Sequence, residues 1–298
     1  MTDSPFATAP FDPERSNRTC RLPGGRKLGY AEGGDPNGVP VFYFHGFPGS
    51  RLEATLLPPS GIRLIGVDRP GYGLSTPRPR RKLVDWPKDI AALADHLGLE
   101  RFGVVGVSGG APYASSVAHG LPERVNALAL VCGLGPPEAP GMMFGRRGSV
   151  GAALRYPGAR VFMAALGRRI MLSDRALKRM RDWRGRRRPR PAADMELRNG
   201  PMMQFMVASW REGLRRSSLG MAGDARIYGE PWHFALKDIS VPTGVWHGRA
   251  DTVVPVSIGE HYAAHVPGAA AHFSENDGHF SLAVNAYPAV ADFLKARA

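Results

Sequence analysis

A mostly parallel β-sheet flanked by helices, with an α-helical unit inserted between two of its strands, is the fold class this sequence predicts. Three observations lead there. Runs such as Val41–Phe44, Arg63–Val67 and Phe102–Val107 are largely apolar without polar alternation, as strands covered on both faces are. Stretches of helical spacing separate the strands, the clearest being Asp85–Leu97 with Trp86, Ile90, Leu93, Ala94 and Leu97. From Gly133 to about Met221 the pattern is wholly helical, broken by Gly and Pro, and strands then return.

In chain order, residues 1–16 read as a loosely ordered arm. Asn17–Leu22 and Lys27–Glu32 form a hairpin across Pro23-Gly24-Gly25, and Gly33–Gly38 is a turn. The strand Val41–Phe44 runs into His45-Gly46-Phe47-Pro48-Gly49-Ser50, and Arg63–Val67 into Asp68-Arg69-Pro70-Gly71-Tyr72-Gly73-Leu74-Ser75. Phe102–Val107 leads to a helix over Ala111–His119, followed by a strand at Val125–Val131. After the insertion come a strand at Val241–Trp246, a helix at Ser257–Ala264, a strand at Ala270–Phe273 and a closing helix at Ala286–Ala296. The expected division is a core of residues 1–132 and 222–298 with a helical cap of residues 133–221.

At 298 residues the chain can bury a full core. No uninterrupted apolar run approaches the ~20 residues of a membrane helix, and the polar, proline-containing stretch Met1–Asn17 lacks the apolar segment of a secretory signal. The two cysteines, Cys20 and Cys132, lack metal-type spacing and read as small buried hydrophobes, so a reducing cytoplasm is expected. The net charge of +13 is uneven. Between Arg146 and Arg226 there are 20 Arg or Lys against 6 Asp or Glu, a balance of +14, which leaves −1 for the rest. Such a patch attracts anionic surfaces or substrates. The run Arg184–Arg190 has only Trp183 as a stacking partner and sits in no nucleic-acid-binding signature, so nucleic acid is not the expected partner.

The chemistry centres on Gly106-x-Ser108-x-Gly110, set between a buried strand and an Ala- and Ser-rich helix. A nucleophilic serine must stand out of the sheet on a strained turn, and glycines two residues to either side remove the Cβ atoms that would collide there. A serine hydroxyl needs an adjacent base, itself oriented by a third group. In an open α/β sheet such groups gather beyond the carboxyl ends of the strands. Two such stretches are His247-Gly248-Arg249-Ala250-Asp251 and Glu275-Asn276-Asp277-Gly278-His279, and the order Ser108, Asp251, His279 is that of one known triad arrangement. His45, His247 and His272 compete for the base, and Asp277 and Asp238 for the acid. Asp277 lies too close in sequence to His279 to orient its ring easily, and Asp238 precedes its strand, at the wrong end of the sheet.

From about Asn17 to the C-terminus, outside the insertion, the chain resembles the α/β-hydrolase family. The resemblance rests on His45-Gly46-Phe47-Pro48-Gly49, Asp68–Ser75, Gly106–Gly110, Gly248-x-x-Asp251-x-x-Val254-Pro255 and Gly278-His279, in that order. It implies His279 as the base and a structural role for His45 beside the oxyanion loop; His247, four residues before Asp251, reads as supporting that turn, and His272, inside an expected strand, as a core residue. Some members carry the acid after the preceding strand, but here that stretch is Cys132-Gly133-Leu134-Gly135, which favours Asp251. The family pattern places the oxyanion donors at the backbone N–H groups of Gly109 and Phe47, with Pro48 a candidate cis residue and Asp68–Ser75 a structural connection beneath that loop. The insertion would be a helical lid over Ser108. It holds every methionine except Met1, and Met142-Met143-Phe144 and Met202-Met203-Gln204-Phe205-Met206 point to an apolar acyl or alcohol pocket.

The implied activity is hydrolysis of a carboxylic ester of a small, partly apolar substrate, with no cofactor and no metal. Ser108 argues against the dehalogenase and epoxide-hydrolase branches, which need an aspartate there, and Gly109 against the haloperoxidase relatives, which usually carry Met. Proline iminopeptidases share the His-Gly-x-Pro-Gly loop but commonly place Trp after the serine. A proline-iminopeptidase-like peptidase or a lactonase is therefore the alternative, and a ligand sensor that keeps the triad is a third possibility. Oligomeric state is not legible.

Overall fold

The computed structural model describes residues 13–58, 60–145, 151, 156–187, 191–197 and 200–298. Eight strands form one sheet: β1 (Arg18–Arg21), β2 (Lys27–Gly34), β3 (Val39–Phe44), β4 (Ile62–Val67), β5 (Phe102–Val107), β6 (Val125–Val131), β7 (Thr243–Gly248) and β8 (Ala270–Ser274). Their order is β1-β2-β4-β3-β5-β6-β7-β8. The hairpin β1–β2 runs antiparallel and β2 joins β4 antiparallel, while β4 to β8 are mutually parallel.

The lack of polar alternation in β3 has a direct structural counterpart. Phe42 and Phe44 enter the core on one face of the sheet, where α1 (Trp86–His96), α2 (Ala111–Gly120) and α8 (Val256–His265) pack. Val41 and Tyr43 enter the core on the other, against Tyr287, Val290 and Leu294 of α10 (Tyr287–Lys295). With side chains alternating at period two, both sets must be apolar.

Between β6 and β7 the chain forms a helical cap: α3 (Pro157–Leu172), α4 (Asp174–Arg187), α5 (Ala192–Leu197), α6 (Pro201–Gly213) and α7 (Leu219–Gly229). Among the described residues, no helix is long and apolar enough to cross a membrane.

Two local expectations need correction, and one helix was not foreseen. Within the expected loose arm, residues 1–12 lie outside the described residues, but Pro13–Ser16 is a helical turn, and buried Arg51 donates from Nε to the Ser16 carbonyl at 2.6 Å. His272 is not a core residue. It is exposed on the edge strand β8 and stacks on Trp246 with ring centroids 4.8 Å apart. The closing helix is preceded by a separate one, α9 (His279–Asn285), whose start depends on a residue far away in sequence.

Candidate active site

The strand-to-helix turn at Ser108 is as tight as its glycines require. Ser108 has φ +54°, a left-handed conformation unfavourable for a residue with a side chain. A Cβ on Gly110 would lie 1.9 Å from the Phe44 carbonyl oxygen, and one on Gly106 2.7 Å from the Gly110 oxygen. The hydroxyl is thereby held outside the end of β5.

Three residues from separate loops converge there. His279 Nε2 lies 3.0 Å from Ser108 Oγ, and its Nδ1 lies 2.7 Å from Asp251 Oδ2. Asp251 Oδ1 accepts the N–H groups of Val253 and Val254 at 2.7 and 2.8 Å, so the turn after β7 fixes the carboxylate. With Nδ1–H donated to Asp251, the lone pair at Nε2 faces the serine. Burial works against a charged His279, but Cys132 and the Asp251 carboxylate outweigh it and raise its pKa well above the ordinary value. Burial alone would raise the Asp251 pKa, yet the neighbouring His279 and His247 hold it below the usual carboxylate range.

The competing residues have other partners. His45 Nδ1 donates to the Gly46 carbonyl at 2.9 Å and its Nε2 accepts the Arg69 N–H at 3.4 Å, inside the loop it was expected to shape. His247 Nε2 donates to the Val254 carbonyl at 2.9 Å, bracing the Asp251 turn. Asp277 accepts from Ser274 and Asn285, and Asp238 from the Ala235 N–H.

Phe47 and Gly109 lie against each other beside Ser108: a Cβ on Gly109 would sit 3.2 Å from Phe47 N. The Phe47–Pro48 peptide is cis. Three buried side chains hold this loop, and a fourth holds Gly109. Arg69 donates to the carbonyls of His45 and Gly46, Glu53 Oε2 accepts the Gly46 N–H at 3.1 Å, and Ser209 Oγ of α6 accepts the Ser50 N–H at 3.1 Å. Tyr228 of α7 donates to the Gly109 carbonyl at 2.7 Å, fixing that peptide. The Asp68–Ser75 stretch is bound up in structure: Asp68 accepts from the backbone and guanidinium of Arg51 and from Leu74 N.

A cavity of about 230 Å³ opens at Ser108 and His279. Met202, Met203 and Met206 of α6 line its cap side, whereas Met142 and Phe144 pack into the core instead. It continues between the sheet and α10, where Leu64, Tyr287 and Leu294 line it.

Sequence reasoning missed two groups. Cys132 has φ +40° and its thiol donates to the His279 carbonyl at 3.5 Å. Among the described residues, Cys132, Asp251 and His279 make the one cluster with metal-ligand chemistry, but His279 Nδ1 and Asp251 Oδ2 are spent on each other. Asp194 of α5 is fully buried, and its carboxylate accepts the N–H groups of His279, Phe280 and Ser281 at 3.1, 3.0 and 2.9 Å. A cap residue thus supplies the N-cap of the helix that begins at His279.

Against known proteins, the sequence profile described as alpha/beta hydrolase fold matches residues 39–286. A probable proline iminopeptidase from Leptolyngbya boryana is 36% identical over 107 residues, 34% of this chain and 33% of that protein. The chain thus matches about a third of the length of its curated relatives. Among solved structures, a hydrolase from Pseudomonas aeruginosa PA01 superposes with a TM-score of 0.68 at 19% identity, over 94% of this chain and 97% of that one. A thermophilic esterase from Thermogutta terrifontis gives a TM-score of 0.65 at 23% identity, over 94% and 98%. At such identities the structural likeness speaks for the fold alone. The profile spans most of the sequence, including the Ser108 turn and the loops that carry Asp251 and His279, and the chain belongs to the alpha/beta hydrolase fold family.

Proposed function

We propose that the protein is a serine hydrolase that cleaves a carboxylic ester of a small, partly apolar substrate. The observation that carries this is the continuous hydrogen-bonded relay from Ser108 through His279 to Asp251, opening on an apolar cavity. Ser108 Oγ attacks the ester carbonyl while His279 Nε2 takes its proton. The N–H groups of Phe47 and Gly109 receive the charge that develops on the carbonyl oxygen. Imidazolium then gives the proton to the departing alcohol, leaving an acyl group on Ser108. A water deprotonated by His279 releases the acid, and Asp251 holds the ring in the required tautomer throughout. No step calls for a metal or a cofactor. Two buried free cysteines fit a reducing cytoplasm as its location, and the division into a cap of residues 133–221, whose last helix runs on to Gly229, and a two-part core belongs to the same reading.

A panel of p-nitrophenyl esters of increasing acyl length tests this. Ser108→Ala is expected to lower turnover about 10⁶-fold. Because the raised pKa of His279 must be exceeded before the ring can act as a base, kcat/KM is expected to rise through a pKa above 6.5. Turnover of proline arylamides or lactones in place of esters would move the assignment to the peptidase or lactonase alternative. Tight ligand binding with no turnover of any acyl substrate would make the protein a sensor.

A further inference from the structure

The cap has an outer surface that the catalytic reading does not use. All the large hydrophobic side chains exposed among the described residues lie between positions 156 and 219, and most belong to α3 or its start. On α3, Phe162, Ala165, Leu166 and Arg169 share the solvent side at the i, i+3, i+4, i+7 spacing, flanked by exposed Val161. Phe162 is 66% exposed. The inward side is already committed: Ala164 is buried with Tyr72, Leu214 and Met221, and Arg168 donates to the Leu214 carbonyl at 2.7 Å. The helix is therefore apolar on two sides while one side is covered, a pattern that in water calls for a second surface.

The adjoining α4 adds charge. Arg175, Lys178 and Arg179 are exposed along one side, together with Trp183, which is 50% exposed. The acids nearby are Asp174, which pairs with Arg211, and Asp182, which pairs with Lys178. Two of the six acids between Arg146 and Arg226, Asp194 and Asp224, are fully buried and so take no part in the charge of the outer surface.

We propose that the outer surface of α3 and α4 docks the protein on an anionic lipid bilayer, with Phe162 and Leu166 entering the acyl boundary and Arg175, Lys178 and Arg179 meeting lipid phosphates. Charge complementarity selects this occupant. A nucleic-acid duplex would engage the cations and leave the α3 apolar stripe in water. A second copy would cover the stripe but set one strongly basic cap against another. An anionic bilayer satisfies both features together, as amphipathic helices rich in Arg and Lys do at membrane interfaces. No span is involved, and the docking stands whether or not Ser108 is the nucleophile.

Co-sedimentation of the full chain with phosphatidylcholine vesicles, with and without phosphatidylglycerol, tests the proposal. Capture is expected only when phosphatidylglycerol is present, and it should weaken as salt shortens the Debye length. Replacing Arg175, Lys178 and Arg179 together by Ala should cost roughly 100-fold in vesicle affinity, at about fivefold per charge. Phe162→Glu with Leu166→Glu should abolish capture. None of these side chains lines the cavity, so hydrolysis of a soluble ester, or the circular dichroism spectrum, serves as the check on folding. The proposal is overturned by absence of capture on phosphatidylglycerol vesicles, or by equal capture on neutral ones. It is likewise overturned if a DNA duplex is bound, or a dimer dispersed by Phe162→Glu forms, without any vesicle capture.

Discussion

Asp224 and Asp194 are both fully buried carboxylates on cap helices, yet their surroundings share nothing. Asp224 of α7 sits among charges and hydroxyls: Arg69, Arg81, Tyr72 and Tyr113 all donate to it, and the Tyr228 hydroxyl lies 3.3 Å away. Burial would raise its pKa, but the two guanidiniums reverse the sign and keep it below the ordinary carboxylate value. Asp194 of α5 faces the backbone N–H groups at the start of α9. The first is an ion cluster whose members fix one another. The second completes a helix terminus that cannot complete itself. The contrast separates what the cap does for stability from what it does for the histidine.

Removing the ion-cluster carboxylate should have the largest effect. Asp224→Ala leaves Arg69 and Arg81 buried without their counter-ion, and breaking a buried pair from one side costs about 3–5 kcal/mol. Urea denaturation measures it. Because Arg69 also donates to the His45 and Gly46 carbonyls, the loop that carries Phe47 should loosen and ester turnover fall together with stability. A loss below 1 kcal/mol would mean that the guanidiniums find other acceptors and that Asp224 is dispensable.

Glu53 offers an intermediate case, a core carboxyl that the cap only touches through Ser209. Burial raises its pKa to about 7, against the pull of the Gly46 N–H, Arg69, Tyr43 and Ser209. The folded state therefore holds a proton that the unfolded state releases above its ordinary pKa of 4.5. Stability from this group is full below that value and is lost as pH rises through 7, by about 3 kcal/mol. Glu53→Gln keeps the neutral form at every pH, with its amide group turned to Ser209. The variant should lose this part of the pH dependence and exceed the parent in stability at pH 8. Equal slopes for both proteins between pH 5 and 7 would show that Glu53 is ionised throughout.

The sequence reading succeeded where structure is local and failed where it is not. Ser108, Asp251 and His279 each lie just beyond a strand whose apolar run is unmistakable, so three short stretches sufficed to bring them together. The glycines at 106 and 110 announce a turn with no room for a Cβ. Asp194 gives no such signal. In Ala192–Leu197 it reads as an ordinary acid in the first turn of a helix, and its partners lie 85 to 87 residues further on. Arg69 and Asp224 are separated by 155 residues, so neither indicates the other. His272 was misplaced because β8 is an edge strand, and a short run of residues does not reveal which strand ends a sheet.

The Asp194 cap should give the smallest change in stability and the most informative change in rate. Losing an N-cap costs about 1 kcal/mol, so Asp194→Ala should remain folded. Its three N–H groups would then seek water, and the first turn of α9 would loosen where His279 must meet both Ser108 and Asp251. A displacement near 1 Å at such a position costs on the order of 100-fold in rate. The loss should fall on kcat more than on KM, because the ring is displaced while the cavity wall stays. The acid limb of the pH–rate profile should also move down, since a weaker bond to Asp251 raises the His279 pKa less. Asp194→Asn keeps one acceptor, enough for Phe280 and Ser281 through the atom they now share, and should lie between parent and Ala variant. Were the Ala variant to lose 1 kcal/mol with kcat and acid limb unchanged, Asp194 would hold the cap alone, and the contrast with Asp224 would be one of degree.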